Sequence, residues 1–383
     1  MSNWHRIALV EGILVLLLGG LIALSLAPYR GNASAFFHLD RDMASYHRPP
    51  HGFVVLEVPG YDGMQYEAIA RQMPEILSSG SWPLLRVSRP TSYAYQRILL
   101  PALAWLLSAG HERLFPYTFL AINIFSLLGA AAILLVTHRK APLYALALAL
   151  SPAALIGLHF SLAEPLSLLL LTCFLVRYVP REHVGPIDVL LLSLLGLTRE
   201  IYLFLILVVL AYSLVRGRWR DSLLCCIPLL MFLGWHAVIY AIFGDIPFLM
   251  STGKHAFPFA AILEILLGEK GFNRFTLSSL AFFFLFVLPA IVVLVRHIVR
   301  TRDWSFLPLA SLFFFGVLSV MPDHIWGSIT SIGRVITPIE PLFLVFALQH
   351  GRRSTQIIAT NILLIGLISG FALALLPHPF ILS

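Results

Sequence analysis

The sequence predicts an all-α polytopic membrane protein, and three observations carry that prediction. Of 383 residues, 59% are hydrophobic and only 12% are charged, and the mean hydropathy is +0.87. A water-exposed surface needs far more charge than this. Apolar runs approaching the ~20 residues of a membrane span recur along nearly the whole chain, so one integral domain over 1–383 is expected rather than a string of soluble ones.

The elements follow in order. Ile7–Ala27 is too long for the core of a signal peptide, and Pro28-Tyr29-Arg30 is no small-residue cleavage site, so the run reads as a retained first helix. A long polar loop, 28–114, comes next. It contains Ile98–Ala109, about a dozen apolar residues, too few to span and suited to lie at the interface. Further runs at Phe115–Val136, Ala141–Leu158, Leu162–Val179, Val189–Thr198, Ile201–Val215, Ser222–Phe243, Phe275–Val295, Phe306–Val320, Val335–Leu348 and Ile357–Leu376 bring the expected bundle to about 11 transmembrane helices. A second large loop occupies 244–274.

The net charge of +7 resides in short basic turns: His138-Arg139-Lys140, Arg177 to Arg181, Arg216 to Arg220, Arg296 to Arg302, and Arg352-Arg353. With Phe115–Val136 as the second span, all of them fall on the side of His5-Arg6. The positive-inside rule then makes the N-terminus cytoplasmic. Counting Ile98–Ala109 as a full span would place them outside. No basic domain exists to hold a phosphate backbone, so no nucleic-acid partner is expected. Cys173, Cys225 and Cys226 lie within apolar runs and read as packing residues. The chain has no P-loop, no glycine-rich dinucleotide fingerprint and no His/Cys spacing for a metal.

This topology brings Asp62, Arg97, Glu164, Arg199, Glu200, Lys254, His255, Asp323, His324 and Arg334 to the non-cytoplasmic face, and ionisable residues beside membrane helices mark sites. Asp62 stands in Gly60-Tyr61-Asp62-Gly63, where the glycines allow positive φ and close backbone approach. It is either a catalytic carboxylate or the N-cap of a short helix over Gln65–Arg71. Arg97 opens the interfacial helix, to bind phosphate or to snorkel to headgroups. Glu164, with Pro165 after it, suits a helix N-terminus. Arg199-Glu200 interrupts an apolar stretch and reads as a break facing a polar cavity or as an internal ion pair. Arg334 offers a fixed planar donor fork, His324 an acid, base or donor, and Glu340 a charge to be paired within the bundle.

Gly60-Tyr61-Asp62-Gly63 with Tyr66 and Ile69-Ala70, Tyr95-Gln96-Arg97-Ile98-Leu99-Leu100-Pro101, Glu164-Pro165 and Leu197-Thr198-Arg199-Glu200, in that order, resemble the GT-C superfamily of membrane glycosyltransferases. The likeness is greatest to bacterial cell-surface glycopolymer formation proteins. The resemblance implies a GT-C-like bundle in a bacterial plasma membrane and a polyprenyl-phosphate-linked sugar as donor. It also implies transfer to a glycan or glycolipid acceptor outside the cytoplasm. Its loop acid falls on Asp62 as general base, with Glu67 close enough to share the role and Asp40, Asp42 and Glu57 available as a second acid. Arg97, Glu164, Arg199, Glu200, Lys254, His324 and Arg334 fall to substrate binding. Phe248, Phe257 and Phe259 fall to covering the lipid tail or the acceptor. The leaving group is already a phosphate, so no cofactor is required, and a divalent metal is not barred. Two other classes fit the same residues: a flippase or transporter of a lipid-linked glycan or anion, and a structural subunit of an envelope complex.

Overall fold

A computed structural model describes residues 3–57, 60–80, 82, 91–138, 140–246, 257–268, 274–326 and 329–375. After α1 (Asn3–Leu26) the first loop contains α2 (Arg41–His47), α3 (Asp62–Ser79), α4 (Thr91–Tyr95) and α5 (Leu99–Leu107). Two short parallel strands, Leu39–Asp40 and Val55–Leu56, tie its base together. The bundle continues with α6 (Phe115–Thr137), α7 (Pro142–Ala149), α8 (Pro152–His159), α9 (Glu164–Tyr178), α10 (Pro186–Thr198), α11 (Tyr202–Val215) and α12 (Trp219–Phe243). It closes with α13 (Ala260–Leu266), α14 (Arg274–Phe282), α15 (Leu288–Thr301), α16 (Phe306–Ser319), α17 (Asp323–Trp326), α18 (Ile329–Val335), α19 (Ile339–His350) and α20 (Arg353–Leu375). A π-helical turn at Phe283–Val287 joins α14 to α15.

Among the described residues, six helical stretches are long and apolar enough to cross a membrane: Trp4–Tyr29, Glu112–Thr137, Pro142–His159, Trp219–Phe243, Thr276–Thr301 and Arg353–Leu375. The expected count of about 11 is not reached by length. The runs read as spans at Leu162–Val179, Val189–Thr198, Ile201–Val215, Phe306–Val320 and Val335–Leu348 form helices of 15, 13, 14, 14 and 12 residues. These rise only about 18 to 23 Å, against ~30 Å of hydrocarbon. The nine-residue α5 is shorter still, as its sequence anticipates. Ala141–Leu158 is not continuous: α7 and α8 are separated at Leu150-Ser151, where Ser151 Oγ caps α8 by accepting from the Ala154 amide at 3.3 Å and Pro152 occupies the first turn.

Short turns make successive helices antiparallel, so the turns alternate between two ends of the bundle. At one end Arg6 reaches the Leu135 carbonyl at 3.5 Å. There too Arg218 meets Glu182 at 3.5 Å, Arg216 reaches the Trp304 carbonyl at 3.0 Å, and the His297 and His350 rings lie 4.3 Å apart. This is the basic end. The other end holds the first loop and the turns after α8, α10 and α18. α20 packs on α7 and α8 so closely that a Cβ at Gly366 would stand 1.8 Å from the Leu150 carbonyl oxygen.

The loop helix α3 is held in the same way. A Cβ at Gly63 would stand 2.2 Å from the Phe160 carbonyl oxygen and 3.3 Å from that of Phe37, both on backbone that cannot rotate away. Gly63→Ala is expected to destabilise the protein by about 1–3 kcal/mol through overpacking, while Gly20→Ala, with nothing within 4 Å of the new carbon, leaves it unchanged. Thermal unfolding in detergent checks this. Equal midpoints for the two variants would refute the seating of α3 on α8.

Candidate functional site

Tyr61 starts the site. Its backbone is extended (φ −127°, ψ 172°) as the residue preceding α3, its amide donates to the His38 carbonyl at 3.3 Å, and its ring stacks on Phe160 at 4.2 Å. Asp62 is therefore the first helical residue and not the N-cap of a helix over Gln65–Arg71. The helix begins three residues earlier and runs to Ser79. Of the two properties expected of Gly60 and Gly63, close approach is the one used, because neither has a positive φ. Asp40 acts as a clip: its Oδ1 accepts from Met43 N at 2.7 Å and its Oδ2 from Gly60 N at 3.0 Å, joining the start of α2 to the entry of α3.

Six of the predicted site residues meet in one chain of alternating charge: Glu200, Arg97, Asp62, Arg334, Glu164, Arg199. Arg97 donates to both Glu200 oxygens, Nε to Oε2 at 2.9 Å and Nη2 to Oε1 at 2.6 Å, and its Nη1 to Asp62 Oδ2 at 3.1 Å. Arg334 Nη2 donates to the same Asp62 oxygen at 2.7 Å and its Nε to Glu164 Oε1 at 2.9 Å. Arg199 Nη1 reaches Glu164 Oε1 at 3.0 Å and also the Arg334 carbonyl. Tyr93 and Tyr61 flank the chain, accepting from Arg97 at 2.5 Å and Arg334 at 3.4 Å.

The chain runs from buried to open. The Glu164 side chain is 0% exposed and Arg199 6%, whereas Asp62 and Glu200 are each 16% exposed, so the two edge carboxylates are the first that a ligand meets. Three guanidinium groups face three carboxylates, and the cluster is neutral. Its hydrogen bonding is unfinished: Glu164 Oε2 and Arg199 Nε are buried without a partner. Burial works against the Arg97 charge, but Glu200 overcomes it and holds the guanidinium proton above its usual range. Every carboxylate here already faces an arginine, a donor set suited to exchanging anions rather than to holding a cation.

The remaining predicted residues are not in this chain. Lys254 and Phe248 lie outside the described residues, as does the side chain of His324. Glu67 is buried, its partner is Arg71 at 3.2 Å, and it takes no part in the ion-pair chain around Asp62. Glu57 pairs with Arg41 at the surface, and Asp42 is exposed in the first turn of α2. The carboxylates that share arginines with Asp62 are Glu200 and Glu164, from the bundle. Phe259 is half-buried and packs against Phe283 and Trp326 at 5.2 and 6.0 Å. Phe257 is exposed. Glu340 is fully buried and joins no ion pair among the described residues.

Two groupings were missed by sequence reasoning. Trp82, Tyr95, Trp235 and Phe243 form an aromatic collar beside Arg97, with ring centroids 5.1 to 5.6 Å apart along the chain of contacts. Trp235 Nε1 donates to the Tyr95 carbonyl at 3.1 Å. At the basic end His297, Asp303 and His350 bring one ligand atom each within 4.8 Å of one another. No sequence spacing signals that set, because only the fold brings His350 at the end of α19 to His297 and Asp303 at the end of α15. Comparison with protein families, curated proteins and solved structures gives no match, so the cluster is read from its geometry.

Two outcomes follow from this site. Glu164→Ala strands Arg199 and Arg334 in a buried position, and is expected to cost about 3–5 kcal/mol, whereas Glu164→Gln keeps acceptor oxygen and costs less; unfolding midpoints order them. Glu67 titrates from about 7, pushed up by burial against the lowering pull of Arg71. A carboxyl with a raised folded-state pKa stabilises most below its unfolded value of 4.5 and loses that contribution as pH rises to about 7. Unfolding midpoints of wild type should therefore fall between pH 5 and pH 8 (on the order of the usual and the raised pKa values), with a flatter profile in Glu67→Gln. Parallel profiles would contradict it.

Proposed function

We propose that the chain is an inverting glycosyltransferase of GT-C type, moving a sugar from a polyprenyl-phosphate-linked donor to an envelope glycan or glycolipid acceptor on the non-cytoplasmic face of a bacterial inner membrane. The supporting observation is that Asp62, chosen from sequence as the base, stands between Arg97 and Arg334 at the open edge of the ion-pair chain. A carboxylate held by two guanidinium groups is a weak base. It becomes a better one when an anion takes those guanidinium groups away. In this reading the donor phosphate exchanges with Asp62 on Arg97 and Arg334, and the released carboxylate turns to the acceptor.

The chemistry then balances. The acceptor hydroxyl oxygen attacks the anomeric carbon, the bond from that carbon to the phosphate oxygen breaks, and polyprenyl phosphate leaves carrying the electron pair. Asp62 takes the hydroxyl proton, and the arginines neutralise the charge gathering on the departing phosphate. Glu200 and Glu164 keep the guanidinium planes aimed while Asp62 is away. The aromatic collar gives a sugar or prenyl group an apolar face near Arg97.

The transport reading requires a polar path through the bundle. Away from the cluster, α9 and α10 pack on each other and bury Leu168, Leu171, Phe174, Leu192 and Leu195 completely, which favours chemistry at one face over passage across. Purified protein assayed with a panel of polyprenyl-phosphate sugars tests the proposal. Asp62→Asn should keep donor binding and lose about 10²- to 10⁴-fold in turnover, and Arg334→Ala should lose donor binding. Full turnover in Asp62→Asn, or no binding of any such lipid by wild type, would sink it.

A further inference from the structure

A second anion-binding feature lies at the other end of the molecule. Between α15 and α20 is a cavity of about 670 Å³, with Arg296, Arg300 and Arg352 at its head and Pro289, Val292 and Ile357 along its wall. Its distance from Asp62 follows from α19, which starts just beyond Arg334 and ends at His350, two residues before Arg352. Twelve residues separate the two sites by about 18 Å of helix rise.

The side chains of the three arginines make no hydrogen bond or ion pair among the described residues. Arg296 and Arg300 are one helical turn apart on α15, where like charges repel, and Arg352 adds a third from the turn before α20. The nearby titratable groups do not compensate them: Asp303 is held by His297 at 3.0 Å, His350 Nδ1 donates to the Phe346 carbonyl at 2.8 Å, and Arg302 and Arg353 add charge of the same sign. Below the arginines the wall is apolar and faces outward, with Val292 and Ile357 each 54% exposed. A cationic head above an exposed apolar wall, at the end of membrane helices, matches a molecule with a phosphate at one end and acyl chains at the other. A free phosphate uses only the head.

We infer that this groove binds an anionic phospholipid, its phosphate on Arg296, Arg300 and Arg352 and one acyl chain along Val292 and Ile357. The occupant is a bilayer lipid and not the sugar donor. The site does not depend on the proposed transferase activity.

Delipidated protein is titrated with phosphatidylglycerol, phosphatidylcholine or inorganic phosphate, and bound lipid is counted by native mass spectrometry. Phosphatidylglycerol is expected to bind wild type in preference to phosphatidylcholine, and inorganic phosphate to leave that binding unchanged. Each Arg→Gln change at 296, 300 or 352 should reduce the preference about fivefold, and all three together about a hundredfold. Val292→Trp keeps the charges and fills the wall, so it should lose bound lipid even if the triple variant does not fold. Arg334→Ala, which removes an anion-holding group of the first site, should bind phosphatidylglycerol as wild type does, separating this site from the first. Equal binding of the two lipids by wild type, competition by inorganic phosphate alone, or unchanged binding in Val292→Trp would overturn the assignment.

Discussion

A guanidinium taken out of water must find carboxylates, and a carboxylate taken out of water must find donors. That constraint organises the end of the bundle that carries the first loop. Glu164 begins α9, Arg199 and Glu200 fill the break between α10 and α11, Arg334 ends α18, Arg97 precedes α5, and Asp62 begins α3. None of these charges has a low-energy position without the others. Joining them fixes the first loop to the bundle at the same time as it builds the site. Structure and site are therefore the same interaction, and a substitution at any of the six changes both.

The loop itself has little apolar core of its own and is held by contact. Gly63 admits the Phe160 carbonyl, Tyr61 stacks on the same residue, and Asp40 clips the entry to α3. α3 packs in turn on α5, and α5 on α6. Each step carries the position of α8 and α6 into the position of Asp62. This makes the carboxylate part of a rigid support even though it belongs to a loop, as placement of a reacting group requires.

Much of this was legible in the sequence because charge is rare there. Asp62, Arg97, Glu164, Arg199, Glu200 and Arg334 stand out against apolar surroundings, and alternation of helix direction puts them at one end. The order of pairing was not legible, since it depends on which helix ends adjoin, and nothing in the spacing of 62, 97 and 334 encodes that. The glycines of the Asp62 loop suggested a turn conformation, where the structure uses the missing side chain instead. Hydropathy alone did not give helix lengths either: in the apolar run Val335–Leu348 the helix begins only after the turn at 336–338 and ends before Gly351. The aromatic collar and the His297, Asp303 and His350 group were hidden for the reason the pairing was, being assembled from distant segments.

The shortness of α9 and α19 has a consequence for what surrounds their ends. Helices of 15 and 12 residues rise less than the hydrocarbon thickness, and α19 is buried along Ile339–Leu348, so its ends meet other helices and not lipid. A helix can stop short inside a bundle because neighbouring protein, and not hydrocarbon, covers the polar groups where it ends. The charges of Glu164 and Arg334 sit at such ends, walled by longer helices.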